Sequence, residues 1–355
     1  MADWLLSMSQ TFEFYEIDPN TWKDKRRISS ILSCSIKRDL SSDTLESASF
    51  KTTEVFGECY IRVYLITIQN GIKEKFPLGT FLVQTPSVSF DGKIRTISMD
   101  AFSPLLELKD GYPELGFTVM KNANVMDNVA TLTAAHLRAP VIGPTKTDET
   151  LYDNFTAEET ETWLDYLLSL MANANYNYEL DEIGRVLFAP AQDTASLQPR
   201  FTFGDDNSSI LYPDIEDRYD LYGVPNVVEV VYSGDKGDII YSKIVNDDPT
   251  SPTSTVTRGR EVVHREKNPS ITGIPNQVYL DQYATQLLKK LSSVEHTVSF
   301  SHGYCPVRIG DCVRLNYQRA DLRDIKARIT TQNIECVSGC KITATAVYTV
   351  NLWKE

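Results

Sequence analysis

The sequence lacks most of the short motifs that carry enzymatic or cofactor chemistry. Its 355 residues include only four histidines and six cysteines. No CxxC pair is present, which disfavours a zinc ribbon or a thioredoxin-like redox site. The patterns HExxH, GxSxG, GxxxxGK[ST] and GxGxxG are also absent. The sequence therefore predicts no catalytic constellation and no bound cofactor.

The sequence also lacks the continuous apolar run of about 18 residues that a transmembrane helix needs. Its first residues, MADWLLSMSQTFEFYEID, have neither a basic segment nor a long apolar core, so they do not resemble a signal peptide. We therefore expect a soluble chain that is made in the cytoplasm and does not insert stably into a membrane.

Basic residues are in deficit. The chain has 35 Lys and Arg against 48 Asp and Glu, a net charge of −13. A broad electrostatic grip on nucleic acid needs clustered basic residues, so we do not expect specific DNA binding. The acidity is concentrated in residues 141–250, which hold 22 acidic and 6 basic residues.

The composition that remains is that of a globular protein, with 42% apolar and 23% charged residues and a length that suits two or three domains. Residues 11–105 show the alternation and β-branched enrichment of strands, with a hairpin turn at Asp91-Gly92. Helical spacing follows over 122–139. A second helix is predicted to start at Thr156, where Thr156 and Glu159 have the spacing of a capping box.

Strand patterns return after residue 201 and are interrupted by a helix predicted over 276–292. We therefore predict an α+β fold that is mainly β, with two β-barrel-like modules and smaller mixed or helical domains. The predicted segments are a first β-barrel module (1–110), an α+β domain (111–200), the first part of a second β module (201–265), a helical insertion (266–293) and the C-terminal strands of the second module (294–355).

Four cysteines lie close together in the C-terminal sequence as C-x6-C and C-x3-C pairs: Cys305, Cys312, Cys336 and Cys340. Four thiolates can hold zinc or an iron–sulfur cluster, but this spacing matches no familiar ligand pattern. Buried, reduced thiols are the favoured interpretation, and we predict no metal site. Cys305 with His302 is the alternative candidate for a nucleophile and its base.

Two further groups of polar residues invite a metal interpretation. His296 and His302 are six residues apart on one predicted strand, about 20 Å along it, which is too far to share a metal. The acidic group around 205–220 lacks the calcium-loop pattern and is interpreted as a solvated loop face. The members of that acidic group are Asp205, Asp206, Asp214, Glu216, Asp217 and Asp220.

An ordered set of sequence segments resembles the tail-tip hub proteins of long-tailed bacteriophages, relatives of the baseplate hub of contractile tails. PLGTFLVQTPSVSFDGKIRTISMDAFSPLLEL (77–108) is similar to their first β-barrel and WLDYLLSLMANANYNYELDEIGRVLFAP (163–190) to their helix and hairpin. DDNSSILYPDIEDRYDLYGVPNVVEVVY (205–232) is similar to their return to β structure. NDDPTSPTSTVTRGREVV (246–263) resembles their long connection and YCPVRIGDCVRLNY (304–317) their later strand pair.

The resemblance implies a structural, non-enzymatic virion protein of the tail tip. Three copies would form a ring with six barrels, which joins the hexameric tail tube to the distal tip. DNA would leave through this ring without specific binding. The implied partners are the tail tube or distal tail protein, the tape measure protein and other tail-tip or fibre proteins.

Three further expectations depend on this resemblance. The sequence ends at NLWKE directly after the last predicted strand, which suggests a hub without a C-terminal lysin extension. The acidity of 141–250 is expected to face the channel, and the loop 246–260 is a candidate contact between subunits. A cell-wall hydrolase and a host-carbohydrate-binding tail protein remain the alternatives.

Overall fold

The computed structural model describes residues 2–93, 95–144, 147–206, 210–233, 239–269 and 276–353. Strand residues are about three times as frequent as helix residues, so the prediction of a mainly β, α+β fold is confirmed. The chain forms two compact units. Unit 1 comprises Met1–Ile215 and Phe300–Ala346, and unit 2 comprises Glu216–Ser299 and Val347–Glu355.

Seven antiparallel strands and a short helix make up the N-terminal part of unit 1. They are β1 (Ser9–Asp18), β2 (Lys23–Ile28), β3 (Ile31–Asp39), β4 (Glu46–Thr52), β5 (Tyr60–Gln69), β6 (Ile72–Phe90), β7 (Arg95–Phe102) and α1 (Leu106–Asp110). Alternate residues of β3 and β4 are buried, as their sequence pattern predicts. The predicted turn at Asp91-Gly92 joins β6 to β7, and Gly92 has a φ of +91° there.

The middle of unit 1 is a small mixed layer with its own apolar core. Its elements are β8 (Thr118–Val119), α2 (Val125–His136), β9 (Phe155–Thr156), α3 (Trp163–Ala172), β10 (Tyr176–Leu180) and β11 (Val186–Pro190). Trp163, Leu167 and Met171 of α3 are buried at helical spacing in this core. The antiparallel β10–β11 hairpin is the strand–turn–strand unit that its sequence predicts.

The predicted start of α3 at Thr156 is wrong. Thr156 lies in β9, and the helix begins after Thr162, whose hydroxyl accepts from the Asp165 N–H at 3.2 Å. Asp165 completes a capping box by accepting from the Thr162 N–H. The pattern S/T-x-x-acidic occurs twice in this stretch, and the later copy directly precedes the apolar stripe that packs.

The remaining strands belong to one large sheet or to a smaller one. They are β12 (Phe201–Gly204), β13 (Leu211–Tyr219), β14 (Val227–Ser233), β15 (Ile239–Val245), β16 (Val263–Lys267), β17 (Ser293–His302), β18 (Cys312–Tyr317), β19 (Leu322–Glu335) and β20 (Ile342–Asn351). The large sheet has the order β13-β17-β20-β19-β3-β4-β7-β6-β5-β1-β2, and β18 pairs with β12 and β19 beside this path. The pairing of β19 with β3 therefore joins the C-terminal strands to the N-terminal ones.

The described strand pairings do not form two closed barrels. The prediction of two barrel-like modules implies two separate groups of strands, whereas the described strands follow one open path that ends at β2 and β13. The physical reason is that the edge of β3 opposite β4 pairs with β19, roughly 290 residues later in the sequence. It does not pair with another strand of the first module.

Unit 2 contains a compact α/β core. β14 pairs antiparallel with β15 and parallel with β16. Helix α5 (Gln277–Leu291) packs Leu280, Ala284 and Leu288 against Val228 and Val230 of β14. The helix predicted over 276–292 is thereby confirmed. The short helix α4 (Thr255–Arg258) lies between β15 and β16. Asp235 and Asp238, which contribute to the acidity of 141–250, lie outside the described residues.

Candidate functional site

A polar cavity of about 580 Å³ opens on unit 1. It is bounded by the turn between β3 and β4, the β10–β11 hairpin, the segment before β12 and the turn that precedes β18. Its charged lining residues are Asp43, Glu179, Arg200, Asp311 and Arg328. A concave site with a few convergent polar groups is the usual form of a ligand or partner site.

Two carboxyl groups of this cavity, those of Asp311 and Glu179, have a raised pKa. Burial raises the pKa of Asp311, although the Arg308 backbone N–H donates to its Oδ2 at 2.8 Å and the Arg200 Nε lies 3.3 Å from its Oδ1. Partial desolvation, together with the negative charge of Asp311, raises the pKa of Glu179. The cavity can therefore exchange protons and accept hydrogen bonds from a guest. The hydroxyls of Ser41 and Ser42 also line it, and no histidine or cysteine is among its described lining residues.

Beside the cavity lies a buried ion network that joins distant parts of unit 1. Arg38 on β3 and Glu46 on β4 are paired across the two strands, and Arg308 comes from the turn before β18. The Arg38 Nε lies 3.3 Å from the Glu46 Oε1, and the Arg308 Nη2 donates to the same oxygen. Gln332 on β19 accepts from the Arg38 Nη1 at 3.0 Å and donates to the Val307 carbonyl at 2.9 Å.

Glu46 is thus shared by two buried guanidinium groups, and the Arg308 Nη1 also lies 4.0 Å from the Glu182 Oε1. Burial and the positive charge of Arg308 lower the pKa of Arg38. Burial opposes the charge of Arg308 too, but the proximity of Glu46 outweighs it and raises the pKa of Arg308. The network holds β3, β4 and β19 in one arrangement, since a charge that is buried and loses its partner is costly.

Sequence reasoning missed this network, although a signal is present. On β3 the buried positions are Cys34, Ile36 and Arg38, and on β4 they are Glu46, Ala48 and Phe50. Strand alternation therefore places Arg38 and Glu46 on the apolar face. A charged residue on the apolar face of each of two adjacent strands indicates a buried pair.

His302 and Cys305 are neighbours, but their surroundings oppose nucleophilic catalysis. The Cys305 Sγ lies 3.9 Å from the His302 Nδ1, and the His302 Nδ1 lies 2.6 Å from the Gly303 carbonyl oxygen, to which it donates. That nitrogen therefore cannot accept the thiol proton. Burial raises the pKa of Cys305 and lowers that of His302 to about 4, so neither group favours its charged form.

Of the other cysteines in the core, Cys312 lies apart, whereas Cys34, Cys336 and Cys340 lie near one another. Cys312 contacts the Val313 carbonyl at 3.8 Å. Cys336 packs on Cys34, and this contact and burial raise the pKa of Cys336, while burial raises that of Cys340. All six cysteines are free thiols. Among the residues that the structure describes, no group of three or more His, Cys, Asp or Glu side chains is arranged to hold a metal ion.

The members of the predicted acidic group take separate partners. Asp217 in unit 2 lies 3.0 Å from the His296 Nδ1 and accepts from the Tyr348 hydroxyl at 2.9 Å. Glu216 pairs with Arg218 at 2.9 Å. In unit 1, Asp205 accepts from the Arg319 backbone N–H at 3.3 Å. The structure thus does not gather these carboxylates around one centre.

No helix within the described ranges is both long and apolar enough to cross a membrane.

Comparison with known proteins shows the fold. No protein-family model matches the chain, and no curated protein matches it. Among solved structures, a tail protein of Neisseria meningitidis MC58 is 14% identical with a TM-score of 0.59, and the alignment covers 97% of this chain and 98% of that one. A 43 kDa tail protein of prophage MuSo2 from Shewanella oneidensis is 13% identical with a TM-score of 0.58, covering 95% and 98%.

A chain of the lidded Francisella PdpA–VgrG complex is also similar. It is 9% identical with a TM-score of 0.56, and the alignment covers 100% of this chain and 54% of that one. The Neisseria and Shewanella tail proteins, in contrast, are matched over almost their whole length. The chain therefore has the fold of phage tail proteins, which confirms at the level of the fold the resemblance that its sequence segments indicate.

Proposed function

We propose that this chain is a structural hub protein of a phage tail tip, and that three copies form a ring between the tail tube and the distal tip. The observation that carries the proposal is the match in fold to two phage tail proteins over nearly the full length of both partners. The open sheet supports it as well, because the described strand path ends at β2 and β13, and such edge strands suit a protein that is completed by neighbours.

In this proposal the partners are the tail tube or distal tail protein, the tape measure protein and other tail-tip or fibre proteins. The role is structural and not enzymatic. The burial of Cys305 and the hydrogen bond that the His302 Nδ1 donates to the Gly303 carbonyl support this, since a nucleophile needs an exposed thiolate and a base that can accept its proton. The protein would reside in the virion after assembly in the host cytoplasm.

DNA would pass through the ring during ejection without being held. Acidic side chains of residues 141–250 that face the channel would repel the polyanion and let it slide. A ring structure with Asp205, Asp214 and Glu216 on the outer wall would contradict this placement.

The experiment that tests the proposal combines light scattering of the purified chain with imaging of the particle. We expect a mass of three chains at micromolar concentration and a hollow threefold ring by electron microscopy. Antibody labelling of virions should place the chain at the tail tip. A chain that stays monomeric and is absent from purified tails would overturn the proposal.

A further inference from the structure

An arginine-lined groove of about 370 Å³ lies on unit 2, between the end of β13 and the end of α4. Its lining residues are Leu221, Tyr222, Gly223, Arg258, Arg260 and Val262. Tyr222 is 93% exposed at its rim, which is unusual for an aromatic side chain with no function at the surface. The two arginines come from the end of the loop 246–260.

The loop itself is firmly packed within unit 2. The Asn226 Nδ2 donates to the Thr253 and Arg260 carbonyls, each at 3.0 Å, and the Asn246 Nδ2 donates to the Ser251 Oγ at 3.0 Å. Gly259 ends α4 in the left-handed conformation, with a φ of +63°. This turn places Arg258 and Arg260 on the same groove.

Arg258 is held in a fixed position. Its Nη1 donates to the Val224 carbonyl at 2.6 Å and its Nη2 to the Leu221 carbonyl at 2.8 Å. Burial and the like charge of Arg260 lower the pKa of Arg258. No carboxylate is among the described residues that line the groove. Two neighbouring cations without a counter-charge thus form one wall of an otherwise apolar groove, in a chain whose net charge is −13.

The same chain carries a segment of complementary character in unit 1. Residues 147–161 contain six acidic residues and no Lys or Arg. Five of these carboxylates are exposed and form no ion pair with any described residue: Asp148, Glu149, Asp153, Glu158 and Glu159. Tyr152 in this segment is 87% exposed. Met120 and Leu115 flank β8, which pairs with β9 of the segment, and they are 65% and 83% exposed.

We propose that the arginine-lined groove of one copy binds the acidic segment 147–161 of a second copy. The inference rests on the proposed ring and names one of its contacts. Carboxylates of the segment would accept from Arg260 and Arg258, and Tyr222 would cover exposed apolar side chains beside them. Because groove and segment are different surfaces, the contact is head-to-tail, and such contacts generate rings when the rotation closes.

The test is a charge exchange in the full chain. Arg260→Glu should weaken the trimer at least tenfold by sedimentation on dilution, because it places a carboxylate opposite carboxylates. Glu158→Lys combined with Glu159→Lys should weaken it similarly, and joining both sets of changes should restore most of the affinity. Arg323→Glu, at an exposed arginine outside the groove whose side chain is 74% accessible, is the matched control and should leave the trimer unchanged.

The possible outcomes separate this inference from the proposed function. A wild-type chain that is monomeric overturns the ring itself. A trimer that Arg260→Glu does not weaken, with Arg260→Ala giving the same result, overturns the groove contact and leaves the ring standing. If both charge changes weaken the trimer but their combination does not recover it, the segment 147–161 is not the occupant. Circular dichroism of each variant verifies that its fold is retained.

Discussion

At the scale of single residues, the buried ion network of unit 1 depends on the carboxylate of Glu46. Glu46 is 3% exposed and compensates both Arg38 and Arg308. We predict that Glu46→Gln lowers the free energy of unfolding by about 3–5 kcal/mol, because it removes the carboxylate of buried Arg38 and leaves Arg308 with only the more distant Glu182. Urea denaturation followed by fluorescence measures this loss.

Glu54→Gln is the control for this change, since Glu54 is an exposed glutamate shortly after the same strand. It should alter the free energy of unfolding by less than about 0.5 kcal/mol. A loss below about 1 kcal/mol for Glu46→Gln would mean that the network does not depend on its carboxylate.

His302 should make stability depend on pH. Its pKa is about 4 in the folded chain, below the ordinary value of 6.5, because the ring is buried. The unfolded chain therefore binds the proton more tightly, so the stabilisation is complete above pH 6.5 and is lost as pH falls towards 4. Between pH 7.5 and 5.0 we expect a loss of about 2 kcal/mol from this residue.

The measurement is urea denaturation at both pH values for the wild type and for His302→Gln. The variant should lose less stability than the wild type on acidification, by about 2 kcal/mol. Asn333→Gln, at an exposed residue that does not titrate, serves as the control and should follow the wild type. Equal pH dependence of the wild type and His302→Gln would contradict the prediction.

Residue-level predictions from the sequence succeed where the type of the residue alone indicates whether it is buried. The sequence favours buried, reduced thiols, and five of the six cysteines are buried. The Arg38–Glu46–Arg308 contact depends on a residue that is roughly 260 positions away, and spacing within one segment carries no information about it. The cavity around Asp311 has the same origin, because its walls come from segments that are far apart in the sequence.

At the scale of secondary-structure elements, the start of α3 offers a direct test. Thr162→Ala should destabilise unit 1 by about 1 kcal/mol, because the Asp165 N–H loses its acceptor at the helix start. Thermal denaturation measures the effect. Thr160→Ala, at an exposed position two residues earlier, should be nearly neutral. A larger effect of Thr160→Ala than of Thr162→Ala would contradict this assignment of the cap.

Elements with a regular pattern are predictable from the sequence, and their pairing is not. The alternation within residues 11–105 correctly predicts strands in that part of the chain, and the apolar stripe of α5 correctly predicts the helix. The single open sheet depends on the pairing of β3 with β19, and no local sequence pattern predicts this pairing. The capping error has a similar cause: both threonines satisfy the local rule, and the tertiary packing of Trp163 decides between them.

At the scale of the whole molecule, the net charge of −13 disfavours binding to DNA. We predict that the purified chain binds double-stranded DNA more weakly than about 10⁻⁴ M at physiological salt, because non-specific binding depends on phosphate neutralisation. An electrophoretic mobility assay with a long duplex measures this. A shift in the mobility of the duplex at micromolar protein concentration would contradict the proposal that DNA passes through the ring without being held.

The pairing of β3 with β19 has a consequence for biosynthesis. Asp39 of β3 pairs with Thr331, so the partner strand leaves the ribosome roughly 290 residues later. At a synthesis rate of about 5–20 residues per second, the nascent chain carries β3 as an unpaired edge for about 15–60 s. During that interval the N-terminal strands depend on their own pairings or on a chaperone. Nascent chains truncated before residue 322 should therefore aggregate more readily than the full chain.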